Sequence, residues 1–244
     1  MNLFSILKKP TASTTKEILV NTRNIRDYSM ELSKDEKIVI DFLSNIDKEF
    51  LSDNGKNDLI AQGKYFEEFL LSLFTIAGYD TQITDKEYKK NGVTYYGDKN
   101  VDLIAIKNNE KIAIQAKNYR LNTKAPKLID LAFINKYSGI SDNGWTNKLF
   151  ITTTFFNPYV YNELKENEKT RNIEWIDRIG LFSLINSLAP EVFIKQNFQH
   201  SLPDTVKKCN KCNHGYLVRK YSHTYFYGCT NFPECDYTEK IWKR

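Results

Sequence analysis

The sequence predicts a mixed α/β fold, a sheet flanked by helices, followed by a small cysteine-bearing module at the C-terminal end. Three observations predict it. Apolar stripes at helical spacing alternate with short β-branched runs from about residue 33 to residue 188, the pattern of a sheet covered by helices. All four cysteines, Cys209, Cys212, Cys229 and Cys235, fall within one short tract. The net charge of +5 falls there as well: from Thr205 to Arg244 eight basic residues face three acidic ones, and the rest of the chain is balanced.

Residues 1–30 show no clean period, and Thr11-Ala-Ser-Thr-Thr15 reads as a linker or arm. Ser33-Lys-Asp-Glu36 is a capping box. Behind it Ile38, Val39, Phe42, Leu43, Ile46 and Phe50 form a helical stripe, so residues 31–56 read as an N-terminal helical segment. A longer helix is expected from Asn57 to Ala77, stopped by Gly78, and then a short strand from Tyr79 to Thr84. Val101–Ile106 and Lys111–Asn118 read as strands joined by the turn Lys107-Asn-Asn-Glu110. Helix is expected over Lys127–Tyr137, strand over Lys148–Thr153 and helix over Pro158–Asn167. Strand over Ile173–Asp177 and helix over Gly180–Leu188 complete the alternation. Residues 57–195 thus read as one domain, 196–206 as a linker containing His200, Ser201 and Pro203, and 207–244 as a separate module.

Composition excludes several classes. With 41% hydrophobic residues the chain can bury a core, which argues against wholesale disorder. The longest apolar stretch, near Phe69–Ala77, is far short of the roughly 20 residues of a membrane span. Leu3-Phe4-Ser5-Ile6-Leu7 is too short for the core of a signal peptide. A cytoplasmic protein without membrane contact is the expectation.

The cysteines follow the pattern C-x2-C, sixteen residues, then C-x5-C. Two close pairs separated by a hairpin-length insert make a tetrahedral zinc site, each pair forming one tight knuckle. Tyr216–Tyr221 and Thr224–Gly228 read as the two strands of that insert. The competing assignment is two disulfides, which export would require, and nothing in the sequence points to export. A module this small depends on its metal to fold, so the zinc is structural. The tract also carries eight aromatic residues, and cations interleaved with flat faces suit nucleic acid. Arg219, Lys220, Tyr225, Phe226, Tyr227, Phe232, Lys240 and Lys243 are the candidate contacts.

Beyond spacing, the run Gly228-Cys229-Thr-Asn-Phe-Pro233-Glu-Cys235-Asp-Tyr-Thr resembles the four-cysteine zinc ribbon at the C-terminus of bacterial type IA topoisomerases. That resemblance implies binding of single-stranded DNA.

The chemistry concentrates on the central hairpin. Asp102 opens the otherwise apolar strand Val-Asp-Leu-Ile-Ala-Ile, and the next strand reads Ile112-Ala-Ile-Gln115-Ala-Lys117. Alternation puts Gln115 and Lys117 on one face, with Ile112, Ile114 and Ala116 on the other. An acid, an amide and a lysine inside apolar strands need partners, because unpaired buried polar groups are costly. A strand-edge acid with a lysine reaching solvent is the plain structural reading. Gly97-Asp98-x-x-Val101-Asp102, followed after twelve residues by Gln115-Ala-Lys117-Asn-Tyr, resembles the Mrr-like branch of the PD-(D/E)xK nucleases. Phe66-Glu67-Glu68 with Gly78-Tyr79 matches the first helix and turn of that family. Leu149–Thr154 and Ile173–Phe182 fit its last strands. The broader superfamily carries an acid where Gln115 stands; glutamine is usual in this branch.

The resemblance implies a restriction-endonuclease-like mixed sheet and metal-dependent hydrolysis of DNA phosphodiesters. Asp102 and the Gln115 amide oxygen would ligate Mg²⁺ or Mn²⁺, and Lys117 would orient or deprotonate the attacking water. Glu67 would hold a metal-bound water or a second ion, whereas Glu68 faces solvent. Asp98 is either a further ligand or a loop acid. Tyr119 and Arg120 either meet the DNA backbone or pack on the surface, and Thr152–Thr154 either donate near the site or reflect β-propensity. The expected partner is DNA, single-stranded or irregular by preference, with a homodimer left open. The rival class is a catalytically inactive nuclease-fold DNA-binding or adaptor protein, and a third is an RNA-directed protein.

Overall fold

Side chains decide where each helix starts. The computed structural model describes residues 32–84, 87–90, 93–96, 100–121, 123, 126–140, 144–157, 160, 164, 172–190, 192, 207–212, 216–222, 224–229 and 235–240. Helix α1 (Lys34–Ser44) begins at the expected capping box. Glu36 N–H donates to Ser33 Oγ at 3.2 Å and Ser33 N–H donates to Glu36 Oε2 at 2.8 Å. It ends before Ile46 and Phe50, because Asn45 turns its side chain back and donates Nδ2 to the Asp41 carbonyl at 3.0 Å. Helix α2 (Leu59–Ile76) is capped by Asp58, whose Oδ1 accepts from Ile60 and Ala61. It stops as expected at Gly78, which takes φ +81°, a conformation that only glycine adopts without strain.

The main sheet has the order β1-β4-β5-β6-β7. Its strands are β1 (Asp80–Ile83), β4 (Leu103–Lys107), β5 (Glu110–Lys117), β6 (Asn147–Thr152) and β7 (Ile173–Ile176). The β1–β4 and β4–β5 pairs are antiparallel, and β5–β6 and β6–β7 are parallel, so the sheet is mixed as expected. A separate hairpin, β2 (Glu87–Lys90) with β3 (Val93–Tyr96), was not anticipated. In the sequence, Asn91-Gly92 is a dipeptide that signals a hairpin. Helix α3 (Leu131–Ser138) lies in the β5-to-β6 crossover and α4 (Arg178–Leu188) follows β7. The expected helix over Lys127–Tyr137 starts later. Ile129 instead bridges to Phe156 as extended chain, and Asp130 then caps α3 through the N–H groups of Ala132 and Phe133. Residues 1–31, most of 158–167 and the 193–206 stretch lie outside the described residues.

Two apolar clusters sandwich the sheet. One face carries Leu103, Ile112, Ile114 and Ala116 under α1, α2 and α4, through residues such as Phe42, Phe66, Phe69 and Leu184. The other carries Phe150 and Ile173 under Ile134 and Tyr137 of α3. With both faces covered, β5 is buried continuously from Ile112 to Ala116. No helix among the described residues is long and apolar enough to cross a membrane.

One buried ion pair ties the pieces together. Arg178 at the start of α4 has 0% of its side chain exposed. Its Nη2 donates to Asp47 Oδ1 at 2.8 Å, its Nη1 to Asp47 Oδ2 at 3.3 Å, and its Nε to the Thr153 carbonyl. Asp47 Oδ1 also accepts from Leu121 N–H at 2.7 Å. Burial pushes the guanidinium pKa down and the Asp47 carboxylate acts against that shift. Removing one partner leaves an uncompensated buried charge. Asp47→Ala should therefore lower unfolding free energy by about 3–5 kcal/mol in a denaturant titration. A loss under about 1 kcal/mol would show that the pair carries little of the core.

Candidate functional site

Asp102 sits just ahead of β4, held on three sides. Its N–H donates to the Ile114 carbonyl at 2.8 Å and its carbonyl accepts from Thr84 N–H at 2.9 Å. Asn100 in the left-handed region, φ +65°, turns the chain into this position. The Asp102 carboxylate is 2% exposed and Gln115 4%. Asp102 Oδ2 accepts from Ala116 N–H at 2.8 Å and from Gln115 Nε2, and Lys117 Nζ lies 3.7 Å away. Lys117 keeps 28% of its side chain exposed, so it forms the solvent side of the group.

These three residues meet on the face covered by α3. Alternation from Leu103 and from Ile114 places Asp102 and Gln115 opposite the α2 cluster. The Tyr137 phenol of α3 reports the same neighbourhood: burial first, then the negative charge of Asp102, pushes its pKa up. Glu67 is 5% exposed on α2, whose apolar stripe packs against the other face, and Glu68 is exposed as expected. Asp98 lies outside the described residues.

Carboxylate and amide oxygens without a thiol or imidazole suit a hard divalent cation, which takes one or two carboxylates and keeps water. Asp102 with the amide of Gln115 fits that requirement, and a half-turn of the amide would exchange its N–H₂ for its oxygen. Arg120 is engaged elsewhere, with Nη2 on Glu49 Oε1 at 2.7 Å.

Sequence reasoning named the Thr152–Thr154 hydroxyls as one of two alternatives and missed Gln62 and Asn118, and together these residues hold the chain beyond Lys117. Gln62 Nε2 donates to the Asn118 carbonyl at 2.9 Å, and Asn118 Nδ2 returns a bond to the Gln62 carbonyl at 2.8 Å. Three successive threonines at the end of β6 each hold one backbone position. Thr152 Oγ1 donates to the Lys117 carbonyl at 2.8 Å, and Thr153 Oγ1 accepts from Tyr119 N–H at 2.7 Å. Thr154 Oγ1 donates to the Lys127 carbonyl at 2.7 Å. A polar amide on the apolar stripe of α2 was the one available signal for Gln62.

The second site is the cysteine module. Its sheet has the order β11-β10-β9-β8, from β8 (Lys207–Lys208), β9 (Tyr216–Ser222), β10 (Thr224–Cys229) and β11 (Thr238–Lys240). The four Sγ atoms lie within 4.8 Å of one another. Cys209–Cys235 and Cys212–Cys229 are each separated by 3.7 Å. A tetrahedron with Zn–S of about 2.3 Å has edges of about 3.8 Å, whereas a disulfide needs about 2.05 Å. The spacing is that of thiolate ligands around zinc. Cys229 N–H donates to the Tyr237 carbonyl at 3.1 Å, and an ion pair between Lys211 and Asp236 spans the two knuckles.

Strand register sorts the candidate contacts. Phe226 pairs with Lys220 on one side and Lys240 on the other, so these three occupy one cross-strand row. Phe226 is half-buried and Lys240 exposed. Tyr227 pairs with Arg219 and packs against the cysteine cluster, on the opposite face from Phe226. For Arg219, Lys220 and Tyr225 the backbone alone is described, and Phe232 and Lys243 lie outside the described residues.

Comparison with known proteins adds the following. Residues 60–185, just over half of the chain, match the family described as restriction endonuclease. Residues 206–244 match the topoisomerase DNA-binding C4 zinc finger. No curated protein matches the chain. A crystal structure of a protein of unknown function is similar at 17% identity and a TM-score of 0.35, over 57% of this chain and 67% of that one. MspJI restriction endonuclease in complex with a 27-mer oligonucleotide is similar at 12% identity and a TM-score of 0.35. That match covers 71% of this chain and 38% of MspJI.

The purified chain should carry one zinc by elemental analysis. Cys229→Ser should release the metal and abolish amide protection over residues 207–240, while residues 60–185 keep theirs. Zinc-free protein with a protected module would exclude the thiolate site.

Proposed function

The chain belongs to the restriction endonuclease family, and we propose that it is a metal-dependent DNA endonuclease whose zinc ribbon holds the substrate. The observation that carries this reading is the meeting of Asp102, Gln115 and Lys117 at one partly open point on the sheet. Attack on a phosphodiester brings an anionic nucleophile against an anionic phosphate. A divalent cation held by Asp102 and Gln115 would supply Lewis-acid charge and a more acidic bound water.

The residues themselves divide the remaining work. Buried Asp102 supplies the negative charge that a cation needs, and the Ala116 N–H fixes its direction. Lys117, exposed on one side, orients the water and neutralises charge on the phosphate in the transition state. Glu67 sits on α2, whose apolar stripe packs on the other face of the sheet, and it would have to reach past the strand end to hold water or a second cation. In the ribbon, strand register pairs Phe226 with Lys220 on one side and Lys240 on the other, and those residue types suit a single strand. Restriction of foreign DNA, defence or repair would each use such an enzyme.

Purified protein should nick or cut plasmid DNA with Mg²⁺ or Mn²⁺ and be inert in chelator. Asp102→Ala and Lys117→Ala should each lower the single-turnover rate by about two orders of magnitude or more, with binding largely kept. If neither change alters the rate, or wild-type protein binds DNA and never cuts it, the chain is a DNA-binding protein on a nuclease fold.

A further inference from the structure

The ammonium of Lys127 is exposed yet fixed. It lies 4.6 Å from the ring centroid of Tyr119 and 5.3 Å from that of Phe133, and the two rings are 6.3 Å apart. Among the described residues it has no carboxylate partner. The nearby acid Asp130 is occupied by the N–H groups of Ala132 and Phe133. Arg120, another cation beyond Lys117, is already paired with Glu49. A lysine resting on two rings, rather than on a carboxylate, still has its outward donors to offer. It has also lost side-chain freedom before any ligand arrives, which favours binding.

The threonine run sets where this cation stands. Thr152 holds the Lys117 carbonyl and Thr154 the Lys127 carbonyl, and Thr154 N–H donates to Thr152 Oγ1 at 3.2 Å. Tyr119, the ring beneath Lys127, is held by Thr153 between them. The backbones of the two lysines are therefore locked to one strand end.

We propose that Lys127, seated on Tyr119 and Phe133, binds a backbone phosphate of the DNA strand beside the one attacked at Asp102 and Lys117. The inference rests on the endonuclease reading for its substrate, but its readout is binding rather than cutting. Lys127 grips the strand and takes no part in bond breaking.

The test uses the full zinc-loaded chain and a short duplex of arbitrary sequence, with no divalent cation added, across a salt series. Lys127→Ala should weaken binding and reduce the slope of log K against log salt by about 0.9, the share of one phosphate. Lys127→Arg should restore the slope. Lys37→Ala, an exposed lysine on α1, should leave it unchanged. With Mg²⁺ present, Lys127→Ala should raise the DNA concentration giving half-maximal rate and leave the saturated rate alone. A wild-type slope in Lys127→Ala, or an equal loss in Lys37→Ala, overturns the assignment. Wild-type protein that binds but does not cut ends the endonuclease reading and still lets the slope decide Lys127. Wild-type protein that binds no DNA overturns both.

Discussion

The bond from Ala116 N–H to Asp102 Oδ2 governs what the rest of the core can do. It ties a side chain at the head of β4 to the backbone of β5, and so fixes the register of the two strands. A slip of one residue would turn Gln115 and Lys117 toward the α2 cluster and bring Ile114 and Ala116 to Asp102. A carboxylate only 2% exposed would then face apolar groups without donors. The cost of that alternative gives the hairpin one arrangement, and every other contact of the site is built on it.

Around this hairpin the chain spends polar residues on backbone rather than on solvent. Gln62, Asn118 and the threonines at 152–154 are buried, and each bonds to main chain on another segment. Residues 118–121 cannot pair in the sheet, so side chains take the place of a strand partner. The Asp47–Arg178 pair extends the same bracing to the segment after α1, whose Val39 and Phe42 share the core of α2.

Much of this was legible, and the reason differs from residue to residue. The capping box at Ser33 and Glu36 is a local signal and was found where expected. That Gln115 and Lys117 share a face was legible because strand alternation has a period of two, whereas their grouping with Asp102 was legible through the family resemblance. The cysteines were legible as zinc ligands through spacing, and the separations of 3.7 Å agree with that assignment rather than with disulfides. The extended run before α3 was not, because the bridge from Ile129 to Phe156 outweighs local helix preference. Asp47 with Arg178 and Gln62 with Asn118 were illegible for another reason. Pairs 131 and 56 residues apart leave no mark in any local window.

Those separations also set an order of assembly. Asp102 meets Gln115 and Ala116 across 13 and 14 residues of chain, whereas Arg178 reaches Asp47 across 131. Closing the longer loop costs about 2 kcal/mol more in chain entropy than closing the hairpin. The β4–β5 hairpin is thus the part of the core that can zip early, with the parallel strands and the Asp47 brace docking onto it later. Until that docking, Asp102 and Lys117 are neighbours in a wet, unbraced hairpin. A chain emerging N-terminus first carries its chemical groups long before it can hold them still.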